Sequence, residues 1–256
     1  MKIVRTRTDL REALAASRDG VVGLVPTMGA YHDGHLSLFR AARAECDVVV
    51  ASLFVNPAQF PEGTDLSRYP RDEERDGRLA RETGVDLLFA PAVAELYPRG
   101  FQTWLEVGEV AARLEGEHRP GHFRGVATVC LKLFNLVRPQ LAYFGQKDAQ
   151  QVAVLRRMIR DLDLELSLRV LPTVRDADGL ALSSRNALLS PAERERALAL
   201  PRALATRDPD AARAALNGLD VDYVEVVDLD PPVLAAAVRV GSTRLIDNVV
   251  LEEESR

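Results

Sequence analysis

The two histidines of Tyr31-His32-Asp33-Gly34-His35 stand three apart where an apolar run gives way to a helical pattern, a placement that could hold a phosphate. Residues 21–25 read as a buried strand, Pro26 and Gly29 interrupt it, and Leu36, Phe39 and Ala42 recur with the spacing of a helix's inward face. Both imidazoles therefore fall at a helix N-terminus. Residues three apart share a helical face, and the unpaired N–H groups and dipole of a first turn favour an anion. Zinc is the rival chemistry and needs a further Cys, His or acidic ligand. The other histidines are His118 and His122, and Cys46 and Cys130 lie in apolar runs.

Two further polar segments carry chemistry suited to the same ligand. Leu182-Ser183-Ser184-Arg185-Asn186 offers two hydroxyls that donate to phosphate oxygens and a guanidinium that grips them bidentately. Gly145-Gln146-Lys147-Asp148 offers an ammonium. Of 33 basic residues only Lys2, Lys132 and Lys147 are lysine, so a lysine in an interior loop of so arginine-rich a chain hints that a compact point charge is needed there.

The elements that must position these residues alternate in type. Strand candidates at 21–25, 48–55, 86–90, 141–144 and 165–171 are separated by helix candidates at 34–45, 72–83, 125–137 and 149–162. That is the pattern of an α/β, Rossmann-like, doubly wound parallel sheet covered on both faces, with ligands beyond the carboxyl ends of its strands. The histidine turn, Asn56-Pro57-Ala58-Gln59 and Gly145-Gln146-Lys147-Asp148 all follow strands. Neither G-x-G-x-x-G nor a Walker A loop is present. After Pro172-Thr173-Val174 the character changes. Residues 175–185 read as a polar loop, Ser190-Pro191-Ala192-Glu193 as a capping box opening a helix to about residue 205, 208–217 as another helix, and 223–227, 237–240 and 243–246 as short antiparallel strands around Gly241-Ser242. The expected organisation is a nucleotide-binding domain over residues 1–174 and a smaller α+β domain over 175–256.

The chain's 256 residues and net charge of −5, with acidic and basic residues interspersed, lack the basic face of a nucleic-acid binder. No apolar run approaches the roughly 18 residues of a membrane span, and no leader pattern opens the chain. Two cysteines in apolar runs suit reduced thiols. A cytoplasmic protein is expected, with no nucleic-acid or membrane partner.

Taken together, the histidine turn and the Ser-Ser-Arg loop resemble the nucleotidyltransferase superfamily that includes class I aminoacyl-tRNA synthetases. Within it the chain is similar to the pantothenate synthetase, or pantoate–β-alanine ligase, family. The similarity runs through Pro26-Thr27-Met28-Gly29-Ala30, His32-Asp33-Gly34-His35, Phe54-Val55-Asn56-Pro57-Ala58-Gln59-Phe60, Tyr69-Pro70-Arg71, Phe144-Gly145-Gln146-Lys147-Asp148, Gln150-Gln151 and Asp178-Gly179-Leu180-Ala181-Leu182-Ser183-Ser184-Arg185-Asn186. The resemblance implies an ATP-binding set of Met28, Gly29, Ala30, Tyr31, His32, Asp33, Gly34, His35, Gly145, Gln146, Lys147, Asp148, Val174, Leu182, Ser183, Ser184 and Arg185. Within that set His35 is implied as proton donor, His32 as its phosphate-facing partner and Lys147 as the third catalytic group. Gln59 and Gln151 are implied to hold pantoate, with Gln59 also near β-alanine. Of the family's acidic pair after Tyr-Pro-Arg only Asp76 matches, since Arg75 precedes it, so Asp76 alone is a candidate for Mg²⁺. Leu182 stands where methionine is frequent, a swap of similar volume. The role of Arg119 and His122 is left open between ligand contact and loop pairing. A homodimer is implied too.

The implied reaction joins pantoate to β-alanine through a pantoyl adenylate, using ATP and releasing AMP and pyrophosphate. Nucleotidyl transfer to another small substrate on the same fold is the alternative, and a non-catalytic nucleotide sensor a third. Residues 61–65 are expected to form a flap over the adenylate, 252–256 a solvated tail, and the histidine turn and Ser-Ser-Arg loop to share one triphosphate pocket.

Overall fold

The computed structural model describes residues 1–15, 20–60, 66–67 and 69–251; the expected flap at 61–65 and tail at 252–256 lie outside the described residues. Compactness divides the chain into two units, Met1–Phe144 with Val154–Leu171, and Gly145–Ala153 with Pro172–Arg256. The Gly145-Gln146-Lys147-Asp148 segment thus belongs with the second unit, although it follows a strand of the first.

Through the first unit the order is β1 (Lys2–Val4), α1 (Arg7–Ala15), β2 (Val22–Val25), α2 (Asp33–Glu45), β3 (Val48–Ser52), α3 (Glu73–Glu82), β4 (Leu87–Phe89), α4 (Val93–Leu96), α5 (Glu115–His118), α6 (His122–Val137), β5 (Leu141–Gly145), α7 (Ala149–Asp161) and β6 (Ser167–Leu171), with Gly145 and the opening of α7 as far as Ala153 counted in the second unit. The strands lie in the order β1-β4-β3-β2-β5-β6, and the pairings of β1 with β4, β4 with β3, β3 with β2 and β2 with β5 are parallel. The strand order reverses between β2 and β5, the place where doubly wound sheets bind ligands. All four residues of β2 are buried, so Val, Gly, Leu and Val without a polar alternation is what a two-sided strand requires. β6 departs from the expected two-sided burial: it is an edge strand, alternately exposed and half-buried. β3 stops at Ser52 rather than running to 55, because the Leu53 and Phe54 amides turn to the carbonyls of Phe89 and Thr27.

α2 packs Phe39 and Ala42 onto β2 and β3, in a core with Val25, Val49, Leu88 and Tyr143. Burying each large side chain is worth about 1.5–3 kcal/mol, which anchors the helix whose first turn carries the histidines.

The second unit contains α8 (Pro191–Ala197), α9 (Ala199–Leu204), α10 (Pro209–Ala215) and an antiparallel sheet of β7 (Asp220–Asp228), β8 (Pro232–Val240) and β9 (Thr243–Val250) in that order. The expected capping box is present, with the Ser190 N–H donating to Glu193 Oε2 at 2.9 Å. The single helix expected to residue 205 is two, because Pro201 has no N–H to give the Ala197 carbonyl. The strands outrun expectation. Ala235, Ala236 and Ala237 are weak strand formers by propensity, but they fill the buried centre of β8 between two partners.

Candidate active site

Residues 28–35 form a tight turn from β2 into α2, and its shape is imposed by a carboxylate from α3. Asp76, 1 % exposed, accepts the Ala30 N–H on Oδ2 at 2.7 Å and the Tyr31 N–H on Oδ1 at 2.9 Å. Arg75, its neighbour, donates to the Tyr31 carbonyl at 3.0 Å. Ala30 adopts φ +54°, a left-handed conformation that costs a non-glycine residue about 1–2 kcal/mol and is held by this clamp. Gly29, at φ +90°, must be glycine twice over, since a Cβ there would lie 2.9 Å from Asp76 Oδ2 and closer still to Leu53. Burial holds the Asp76 carboxyl above its ordinary value, and the two amides offset only part of that rise.

His32 caps α2 rather than lying within it. Its Nδ1 accepts the Gly34 N–H at 3.2 Å, and His35 Nδ1 lies 3.4 Å from the His32 N–H, so the two imidazoles make a reciprocal capping box. The ring centroids are 4.2 Å apart. Because both Nδ1 atoms accept, the neutral rings carry their protons on Nε2, an orientation assigned from this hydrogen bonding. The helix terminus therefore gathers two imidazoles beside its own positive dipole end. Tyr31 differs from its neighbours: its ring is in the core against Phe39, centroids 5.1 Å apart, its hydroxyl lies 3.2 Å from Thr27 Oγ1, and both its main-chain groups are engaged.

Gln59 closes a 3₁₀ turn at Pro57–Gln59 and is 8 % exposed. Asn56 caps that turn, its Oδ1 accepting the Ala58 N–H at 3.2 Å. The Asn56 Nδ2 donates to Gln59 Oε1 at 2.9 Å and to the Gly125 carbonyl at 3.1 Å, and Gln59 Nε2 lies 3.3 Å from Met28 Sδ. α6 can approach this turn only because residue 125 is glycine, since a Cβ there would meet the Ala58 carbonyl oxygen at 2.2 Å. His122, buried at the start of α6, places Nδ1 2.9 Å from the Gln59 carbonyl, and Arg119 lies 3.2 Å from its Nε2. The pairing alternative left open for Arg119 and His122 is thus what the first unit contains.

The second unit gathers the other predicted residues. Lys147, Ser183 and Arg185 line one narrow cleft with Asn186 and Asp247. Ser183 caps a 3₁₀ turn at Ser184–Leu188 by accepting the Arg185 N–H at 3.3 Å. The segment expected as a loop is a short irregular hairpin: Arg175 bridges Ala181, the Leu182 N–H reaches the Val174 carbonyl, and Arg175 makes bonds of 2.6 and 3.1 Å to buried Asp247. Asn248 of β9 fixes the lysine turn, its Nδ2 lying 2.9 Å from the carbonyls of both Gln146 and Lys147. The Lys147 ammonium is 3.8 Å from Asp148. Gln151 lies on α7, half-buried.

For a divalent cation the fit is poor. Among the described residues no group of three His, Cys, Asp or Glu side chains converges, and Asp76 is buried with both oxygens on main-chain amides. Its position matched a metal ligand; its geometry is that of a turn clamp.

A profile of pantoate-beta-alanine ligase matches residues 2–250. The chain belongs to that family. It is 51 % identical to the pantothenate synthetase of Roseiflexus castenholzii, with 98 % of this chain and 100 % of that protein aligned. Pantothenate synthetase 1 of Bradyrhizobium diazoefficiens is also 51 % identical, with 98 % of each covered. Among solved structures, pantothenate synthetase from Thermus thermophilus superposes with a TM-score of 0.93 at 47 % identity, covering 98 % of this chain and 99 % of that one. The Francisella tularensis pantoate-beta-alanine ligase complexed with beta-gamma ATP and beta-alanine gives 0.88 at 33 %, covering 98 % and 97 %. The α/β fold with a parallel sheet and a smaller antiparallel one is shared with these enzymes.

Asn56, Tyr97, Gly125 and Asn248 do structural work at the candidate site that sequence reasoning missed. Only Asn56 carried a signal, an asparagine before proline, which is a cap followed by the residue favoured at the first helical position.

Proposed function

We propose that this chain condenses pantoate with β-alanine, using ATP and passing through a pantoyl adenylate. The observation that carries the reading is the reciprocal histidine capping box, which sets two imidazoles at a helix terminus in a member of this ligase family. In the first step a pantoate carboxylate oxygen attacks the α-phosphorus in line and pyrophosphate leaves. Donors that strengthen as charge builds on the bridging oxygen accelerate such transfers, each typically by about 10²–10³. His35 and His32 take that role in the first unit, and Lys147, Ser183, Ser184 and Arg185 in the second. The main chain at Met28, Gly29, Asp33, Gly34, Gly145, Gln146, Asp148, Val174 and Leu182 completes the nucleotide contacts. Gln59 and Gln151 orient the hydroxy acid by amide hydrogen bonds that add no competing charge. In the second step β-alanine's neutral amine attacks the acyl carbon, AMP departs with the bonding pair and the nitrogen sheds a proton.

Magnesium enters this proposal as a counter-ion of the nucleotide's phosphates, the manner in which the ion is commonly held. A cytoplasmic homodimer completes the reading; no helix among the described residues is long and apolar enough to cross a membrane. The dimer predicts sedimentation at twice the mass of the chain.

The test is AMP release with acid and amine omitted in turn. AMP that accumulates only when ATP, pantoate and β-alanine are all present supports the ligase. A stable nucleotidyl product formed without the amine would replace it by nucleotidyl transfer, and no turnover would leave a nucleotide sensor.

A further inference from the structure

Asn56 is 1 % exposed, and each hydrogen-bonding position of its amide is taken. Two partners are main-chain groups, which makes its orientation unambiguous: the Ala58 N–H can only donate, so it meets Oδ1, and the Gly125 carbonyl can only accept, so it meets Nδ2. The two remaining positions are then determined. The Tyr97 hydroxyl, 2.9 Å from Oδ1, must be a donor, and Gln59 Oε1, 2.9 Å from the second Nδ2 hydrogen, must be an acceptor. Gln59 is left with Nε2 as the end of its amide not used by this chain of bonds, beside Met28 Sδ, a weak acceptor. Polarity therefore runs one way, from phenol to asparagine to glutamine.

The Tyr97 ring is itself held on several sides. It stacks on Trp104 at 5.8 Å, meets Phe101 edge-on at 5.1 Å, and Lys132 Nζ lies 5.9 Å from its centroid and 4.7 Å from that of Phe101. Burial raises the phenol's pKa well above its ordinary value, which keeps the proton on the oxygen that must donate it.

We propose that Tyr97 is a positioning residue for the acid substrate: by donating to Asn56 it helps hold Gln59 with its amide nitrogen turned away from Asn56, on the Met28 side, so that Gln59 serves as a donor to a pantoate oxygen and not as an acceptor for the amine. This rests on the proposed function, since it takes Gln59 to contact pantoate. Tyr97 touches no reacting atom and acts through two other side chains.

Tyr97→Phe keeps the ring and its stacking and removes only the hydroxyl. Pantoate affinity in the presence of a non-hydrolysable ATP analogue, read by calorimetry, is expected to fall about tenfold, the equivalent of one hydrogen bond of about 1.4 kcal/mol, with affinity for the analogue itself unchanged. In a Gln59→Ala background the same substitution should have no further effect on pantoate. Gln59→Glu keeps the shape but replaces the donor by an acceptor, and should lose at least as much pantoate affinity as Gln59→Ala. Unchanged pantoate affinity in Tyr97→Phe, an equal loss for both ligands, a full effect without Gln59, or tolerance of Gln59→Glu would each overturn the relay. Tyr97→Phe that fails to fold leaves the Gln59 pair to decide. Wild-type protein that neither binds nor turns over pantoate fails the functional reading instead, a result separate from all of these.

Discussion

At the scale of single residues, the site is built from groups whose chemistry is spent on holding one another. Asp76 shows how. Removing its carboxylate would leave the buried amide of Tyr31 and the half-buried amide of Ala30 without acceptors, at about 1–3 kcal/mol for the buried one. Asp76→Ala is therefore expected to lower thermal stability by several degrees and to reduce turnover at least tenfold through the misplaced histidine turn. Asp76→Asn, which keeps one acceptor oxygen, should fall between. Calorimetric melting beside the AMP assay checks both, and an Asp76→Ala protein with wild-type melting and rate would dispose of the clamp. The thiols allow a second check. Burial pushes Cys130 up to about 12 and also raises Cys46. Neither should react with a disulfide reagent at pH 8 in the folded protein, and both should react once it is unfolded. The histidine pair was legible in the sequence because its spacing and place after a strand are local facts. Asp76 was legible only as an acid at a matching position, since its partners are 46 and 45 residues away and no local pattern announces them.

At the scale of elements, backbone contact fixes what loops can present. The lysine turn at Gln146–Asp148 is fastened to β9 through Asn248, whose side-chain nitrogen bridges two of its carbonyls. Asn248→Ala is expected to weaken ATP binding about tenfold while sparing pantoate, as equilibrium titration of each ligand would reveal; loss of pantoate alone would contradict the assignment. Gly125→Ala should force α6 away from the Pro57–Gln59 turn, cost the fold about 2–3 kcal/mol by overpacking, and weaken pantoate binding more than ATP binding. Parallel strands and amphipathic helices could be read from periodicity, because each is a repeating response to burial. The split between α8 and α9, the extent of β8 through its alanines and the hairpin at 175–181 could not. Those depend on which partner supplies each hydrogen bond.

At the scale of the whole molecule, the chain falls into two compact units. Adding ATP is expected to slow amide hydrogen exchange at residues 28–35 in the first and at 145–148 and 182–185 in the second. Unchanged exchange at any one of these stretches would refute that stretch's proposed part in nucleotide binding. The near absence of lysine has a practical corollary. An acylating reagent that seeks primary amines meets only three side chains in the entire polypeptide, of which Lys132 rests against the Phe101 and Tyr97 rings and Lys147 shows 16 % of its side chain to solvent. Covalent tagging at amines thus amounts to a nearly site-selective gauge, and competition by nucleotide at Lys147 could be followed by mass alone, with no engineered handle.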